Sequence, residues 1–124
     1  MSNERQALVA IVDDDADVRV ALMRLLSSAG FITETFASGS DFVRSVATHL
    51  PGCVVLDLHM PGLSGFEVQQ ELIDHYPEVP VVIVTGHDTS EARRRALSLG
   101  AKAYLSKPVD DEALLLAIRG ALHH

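Results

Sequence analysis

Three runs in this chain, Ala7–Val12, Cys53–Leu56 and Val81–Val84, are apolar at every position and rich in β-branched residues. A strand with one wet face alternates apolar and polar residues, whereas an unbroken apolar run suits a strand buried on both faces. Strands of that kind belong to parallel sheets covered by helices on either side, which leaves few folds open. Each run stops at polar residues: Asp13-Asp14-Asp15 after the first, Asp57 after the second, Thr85-Gly86 after the third. In an open parallel sheet, ligands bind just beyond the carboxyl ends of the strands. The chemistry is expected at that edge.

The segments between the runs supply the helices. Val18, Leu22, Leu25 and Ala29 recur at helical spacing over Ala16 to Ala29, and Gly30 offers a left-handed stop. Phe31 to Phe36 is polar at Thr33, Glu34 and Thr35, so it is expected as an edge strand. Ser38 with Asp41 resembles a capping box with Asp in place of Glu, opening a helix to about Thr48. After the Pro61-Gly62 turn, Ser64 and Gly65 begin a third helix to about His75, with Val68 and Leu72 inward. Ser90 is expected to cap a fourth helix to Leu99, buried along Ala92, Ala96 and Leu99 and stopped by Gly100. Ala103-Tyr104-Leu105 reads as a short strand ending at Ser106-Lys107-Pro108. Asp110 or Asp111 caps a last helix to about Leu122, with Leu114, Leu115, Ile118 and Leu122 inward.

Strict alternation of five strands and five helices predicts an α/β fold, a doubly wound (βα)5 chain with a parallel sheet and right-handed crossovers. For this length the flavodoxin-like order 2-1-3-4-5, with helices on both faces, fits best. Residues 1–124 are read as one domain with its core at about 7–122. The switch point between strands 1 and 3 sets Asp13 and Asp14 beside Asp57.

Composition removes several function classes. A net charge of −7 argues against nucleic-acid binding by this segment. The single Cys53 lies inside an apolar run, so no disulfide forms within one chain and the thiol reads as a small core hydrophobe. No stretch resembles a signal peptide or is long enough to span a bilayer, which points to a reducing, cytoplasmic setting with no membrane partner. His123-His124 is read as either natural or the start of a purification tag, and nothing is built on it.

Asp13-Asp14, Asp57, Thr85 and Lys107 converge from four strand ends. Three carboxylates that close raise one another's pKa unless a cation joins them. A hard divalent ion with oxygen ligands, Mg²⁺ or Mn²⁺, suits them better than zinc. Lys107 is a point charge for a phosphoryl or carboxylate oxygen, and Thr85 offers a hydroxyl. Such a set stabilises a phosphoryl group in transfer to a carboxylate nucleophile. Each part alone has a plainer reading: an acidic pair as a helix N-cap, a lone Asp as an Asx-turn, Lys-Pro as a loop dipeptide.

Val12-Asp13-Asp14, Asp57-Leu58-His59-Met60-Pro61-Gly62 with Gly65, Thr85-Gly86 and Lys107-Pro108 together resemble the receiver domain of two-component response regulators, from Leu8 to Leu122. The resemblance implies that Asp57 accepts a phosphoryl group from a histidine kinase or a histidine phosphotransfer protein. It implies Mg²⁺ held by Asp13, Asp14, Asp57 and the main-chain carbonyl of His59. It further implies that Lys107 pairs with the phosphoryl oxygens, that its bond to Pro108 is cis, and that Thr85 and Tyr104 move inward on phosphorylation. The plainer reading of Tyr104 is a half-buried strand aromatic with its hydroxyl in water. Beyond self-catalysed phosphorylation and dephosphorylation, no enzyme activity is implied. Two other classes compete. A Mg²⁺-dependent phosphohydrolase needs an acid/base carboxylate two residues after its nucleophile, where this chain has His59, and a cap for which it has no room. A degenerate receiver acting as a binding module is disfavoured by the intact acid pair, Thr85 and Lys107.

Surfaces follow from helical spacing. Ala16, Val20 and Met23 lie opposite the core stripe of the first helix and are expected to dock the phosphodonor protein. Leu97 and Leu116 flank Tyr104 on the helix 4–strand 5–helix 5 face, where the resemblance implies readout through a homodimer or an effector. Arg93-Arg94-Arg95 reads as a solvated face. His59 and His87 each lie two residues past a motif residue and are expected to overhang the phosphoryl site, where the family controls access of the hydrolytic water. They either shield the acyl phosphate, orient the water, or stand by as exposed loop residues, and any imidazole contribution should vary between about pH 5.5 and 8.

Overall fold

Each run expected as a strand is one in the computed structural model, which describes residues 7–123. The strands are β1 (Leu8–Val12), β2 (Ile32–Phe36), β3 (Cys53–Leu56), β4 (Val81–Thr85) and β5 (Ala103–Ser106). The helices are α1 (Ala16–Ser28), α2 (Gly39–Val46), α3 (Gly65–His75), α4 (Ser90–Ser98) and α5 (Asp111–Leu122). All pairings are parallel and the order is β2-β1-β3-β4-β5, the flavodoxin-like arrangement expected. β2 is an edge strand, as its polar residues required.

Period-two alternation along the buried strands sorts the core into two layers. Ala10, Val12, Val54, Leu56 and Ile83 face α2, α3 and α4 through Phe42, Val46, Val68, Leu72, Ala92 and Ala96. Val9, Ile11, Val55, Val82 and Val84 face α1 and α5 through Leu22, Leu26, Leu114, Ile118 and Ala121. Cys53 sits in the second layer, where burial pushes its thiol up to about 12, so it packs as a hydrophobe. Among the described residues no helix is long and apolar enough to cross a membrane.

Several details correct the sequence reading. The fully buried residues of α1 are Leu22 and Leu26, with Val18, Leu25 and Ala29 half-buried beside them. The stripe therefore lies one position round the helix from where Leu25 put it. Met23, expected on the outer face, is half-buried and packs into the second layer as a result. Thr89, not Ser90, caps α4, accepting from the amide of Ala92 at 3.0 Å. At α2, Ser38 caps, but Asp41 pairs with Arg44 instead of closing the box, and the helix ends at Val46. A complete capping box stands at α3, between Ser64 and Glu67. In α5, Ala121 takes the buried place while Leu115 and Leu122 lie at its margin.

Candidate functional site

The ends of β1, β3, β4 and β5 place Asp13, Asp57, Thr85 and Lys107 at one edge of the sheet. Asp13 and Asp57 are held there by ladder bonds that continue past the strands. The amide of Asp57 donates to Val12 O at 3.0 Å, and that of Asp13 to Phe36 O at 3.1 Å. The competing N-cap reading of the acids is resolved by their neighbour: Asp15 caps α1, accepting from Asp17 N at 2.9 Å and Val18 N at 3.4 Å. Asp13 and Asp14 are thereby free of capping. One oxygen from each of Asp13, Asp14 and Asp57 lies within 4.8 Å of the others, the one such cluster among the described residues. Asp14 is exposed, while Asp13 and Asp57 are buried. An all-carboxylate donor set with one face open to water fits a hard divalent cation.

Asp57 is 6% exposed. Burial pushes its carboxyl above the ordinary 3.8, the Lys107 charge pulls it back, Asp13 raises it, and a His59 backbone hydrogen bond lowers it. Lys107 Nζ lies 2.7 Å from Asp13 Oδ2 and 3.7 Å from Asp57 Oδ2. Burial lowers the Lys107 pKa, but the bond to Asp13 and the charges of Asp57, Asp13 and Asp15 outweigh it, so the ammonium is held above its usual value. The Lys107–Pro108 bond is cis, as the resemblance implied.

Thr85 is fully buried, and its Oγ1 accepts from the His87 amide at 3.1 Å. Tyr104 is 6% exposed, so its plainer reading as a half-buried ring with a wet hydroxyl does not hold. Its hydroxyl is buried close to the Asp88 carboxylate, and burial followed by that charge raises its pKa. The Arg93 guanidinium lies 5.3 Å from the centroid of that ring, and Ser106 Oγ donates to Asp88. The His59 and His87 rings sit 4.3 Å apart, centroid to centroid, tilted by 41°. Both imidazoles are exposed.

Two polar residues, one at the site and one in the core, carried no signal in the sequence. Arg19 Nη1 donates to the Asp13 carbonyl at 2.8 Å. Gln69, inside α3, is fully buried and donates through Nε2 to Ala96 O of α4 at 2.9 Å, with its Oε1 unpaired among the described residues. A polar residue on a buried helix stripe looks from sequence alone like one on an exposed stripe.

Residues 9–119 match the response regulator receiver domain family. The response regulator protein TodT of Pseudomonas putida is 37% identical over 120 residues, covering 97% of this chain and 53% of TodT. The DNA-binding transcriptional regulator NtrC of Escherichia coli is 35% identical over 121 residues, covering 97% of this chain and 26% of NtrC. This chain thus spans about half the length of TodT and about a quarter of NtrC. The response regulator StyR superposes with a TM-score of 0.83 at 40% identity, over 94% of this chain and 59% of that one. Fold, strand-end residues and sequence match lead to one assignment: this chain belongs to the family of response regulator receiver domains of two-component systems.

Proposed function

We propose that Asp57 is the phosphoacceptor of a two-component or phosphorelay system and that residues 1–124 act as one receiver domain, a phosphorylation-dependent switch rather than an enzyme with a separate substrate. The observation that carries this reading is the Asp13, Asp14 and Asp57 cluster facing the Lys107 ammonium at the strand ends. A carboxylate oxygen of Asp57 attacks the phosphorus of a phosphohistidine. The P–N bond breaks, its electron pair stays with the imidazole, and an aspartyl phosphate forms. A Mg²⁺ or Mn²⁺ ion held by Asp13, Asp14, Asp57 and the His59 carbonyl would neutralise charge on the phosphoryl oxygens. Lys107, already between Asp13 and Asp57, moves its ammonium onto a phosphoryl oxygen. Thr85 exchanges its bond with the His87 amide for one to the phosphoryl group. The decisive experiment is phosphorylation by acetyl phosphate, read by intact mass.

The phosphodonor, a histidine kinase or histidine phosphotransfer protein, docks over α1 in the cytoplasm. Ala16 and Val20 are exposed there, whereas Met23 packs partly into the core and contributes less. Output is read from the α4–β5–α5 face, where Leu97 on α4 is 43% and Leu116 on α5 64% exposed. Sedimentation should show dimers on addition of beryllofluoride that are lost in Leu97→Ala/Leu116→Ala. Monomers in both states sink the homodimer and leave an effector as the reader.

The paired rings of His59 and His87 support a shielding role over the acyl phosphate. Hydrolysis needs in-line access of water and no strong base, so bulk beside the site mainly obstructs it. His59→Ala and His87→Ala are each expected to shorten the phosphorylated lifetime a few-fold, followed by loss of phosphate from the isolated phosphoprotein. Slowing on the order of 10²-fold would instead mark a general base, and unchanged rates would make both residues bystanders.

A further inference from the structure

Every polar atom of Asp13 is engaged, and each partner comes from a different place in the chain. Its amide donates to Phe36 O at 3.1 Å, at the end of β2. Its Oδ1 accepts from Asp15 N at 2.9 Å, and its Oδ2 from Lys107 Nζ at 2.7 Å. Its carbonyl accepts from Arg19 Nη1 at 2.8 Å, across six residues and back over the start of α1. That carbonyl belongs to the peptide plane joining Asp13 to Asp14. Asp14 is exposed, so the orientation of that plane decides where its carboxylate stands.

We propose that Arg19 is a positioning residue for the cation pocket: by gripping the Asp13 carbonyl, its guanidinium sets the Asp13–Asp14 peptide so that both carboxylates face Asp57. This rests on the proposed role of the acid cluster as a divalent-cation site. A group that orients a metal ligand from behind typically matters by roughly 10- to 100-fold in metal affinity. The charge of Arg19 acts in the opposite sense, because a cation near three carboxylates repels an incoming divalent ion. The two roles therefore predict changes of opposite sign when the guanidinium is removed.

The test measures Mg²⁺ dissociation constants by isothermal titration calorimetry for the wild-type chain, Arg19→Met and Arg19→Lys. Methionine keeps helix propensity and an unbranched apolar stem but neither donates nor carries charge. Positioning predicts binding about tenfold weaker in Arg19→Met, with most of the loss recovered in Arg19→Lys, which still reaches a carbonyl. Hydrogen exchange without metal supplies a second readout: the Asp15 amide, bonded to Asp13 Oδ1, should exchange faster in Arg19→Met while the amides of β3 keep their protection. Equal or tighter Mg²⁺ binding by Arg19→Met overturns the inference. Failure of the wild-type chain to bind Mg²⁺ overturns the cation-site reading beneath it, so the two failures are told apart.

Discussion

Asp57→Asn should take up no phosphoryl group from acetyl phosphate, while the wild-type chain takes up one and loses that ability in EDTA. An amide oxygen cannot replace the carboxylate as nucleophile, and without a cation three neighbouring carboxylates oppose the approach of a phosphoryl dianion. Intact mass reads both outcomes. Equal labelling of the Asn variant would remove Asp57 from its role. The same variant should be the more stable protein at neutral pH. Burial holds the Asp57 carboxyl above its ordinary 3.8, with Asp13 and Asp14 adding to the shift against Lys107 and the His59 backbone. The folded state therefore binds this proton more tightly than the unfolded chain does. That stabilisation is fully present below the ordinary value and is lost as pH rises through the raised folded one. Asparagine carries no charge to bury. In EDTA at pH 7, Asp57→Asn should melt above the wild type, and the gap should close on acidification. A lower Tm than wild type at pH 7 would contradict the burial argument.

Gly65→Ala should be the most damaging substitution of a single hydrogen by a methyl group. A Cβ at Gly65 would lie 2.3 Å from the Asp57 carbonyl oxygen, 2.7 Å from Leu58 Cα and 3.0 Å from the Asp57 carbonyl carbon. All three are backbone atoms of the segment that carries Asp57, and the Gly65 amide donates to Leu58 O at 2.9 Å. No side-chain rotation relieves the clash. Either α3 backs away from the sheet or the Asp57 main chain shifts. A loss of about 3 kcal/mol, on the order of 10 °C in Tm, is expected together with weaker Mg²⁺ binding. Gly120→Ala is the control, because a Cβ there meets nothing within 4 Å and the site is an exposed turn of α5. It should raise stability by roughly 0.5–1 kcal/mol through helix propensity alone. A Gly65→Ala protein that melts with the wild type would show that α3 does not press on the strand exit.

What the sequence determined by itself was local. Unbroken apolar runs made β1, β3 and β4 strands buried on both faces, and polar Thr33, Glu34 and Thr35 put β2 at an edge. Alternation with helices then left the doubly wound order as the one that closes. The acids, Thr85 and Lys107 could be placed at one rim because they stand directly after strands, where chain order and sheet order together set position. The tertiary structure decided which atoms meet. Lys107 lies 94 residues from Asp13, and its nearer contact is that residue rather than Asp57. Asp15 rather than the acid pair took the cap, and Thr89 rather than Ser90, because capping depends on where the backbone turns into its first helical torsions. Arg19 on a carbonyl and Gln69 inside the core escaped the sequence for one reason. Periodicity reports which face of an element is apolar, but it carries no information on what the neighbouring element presents to that face.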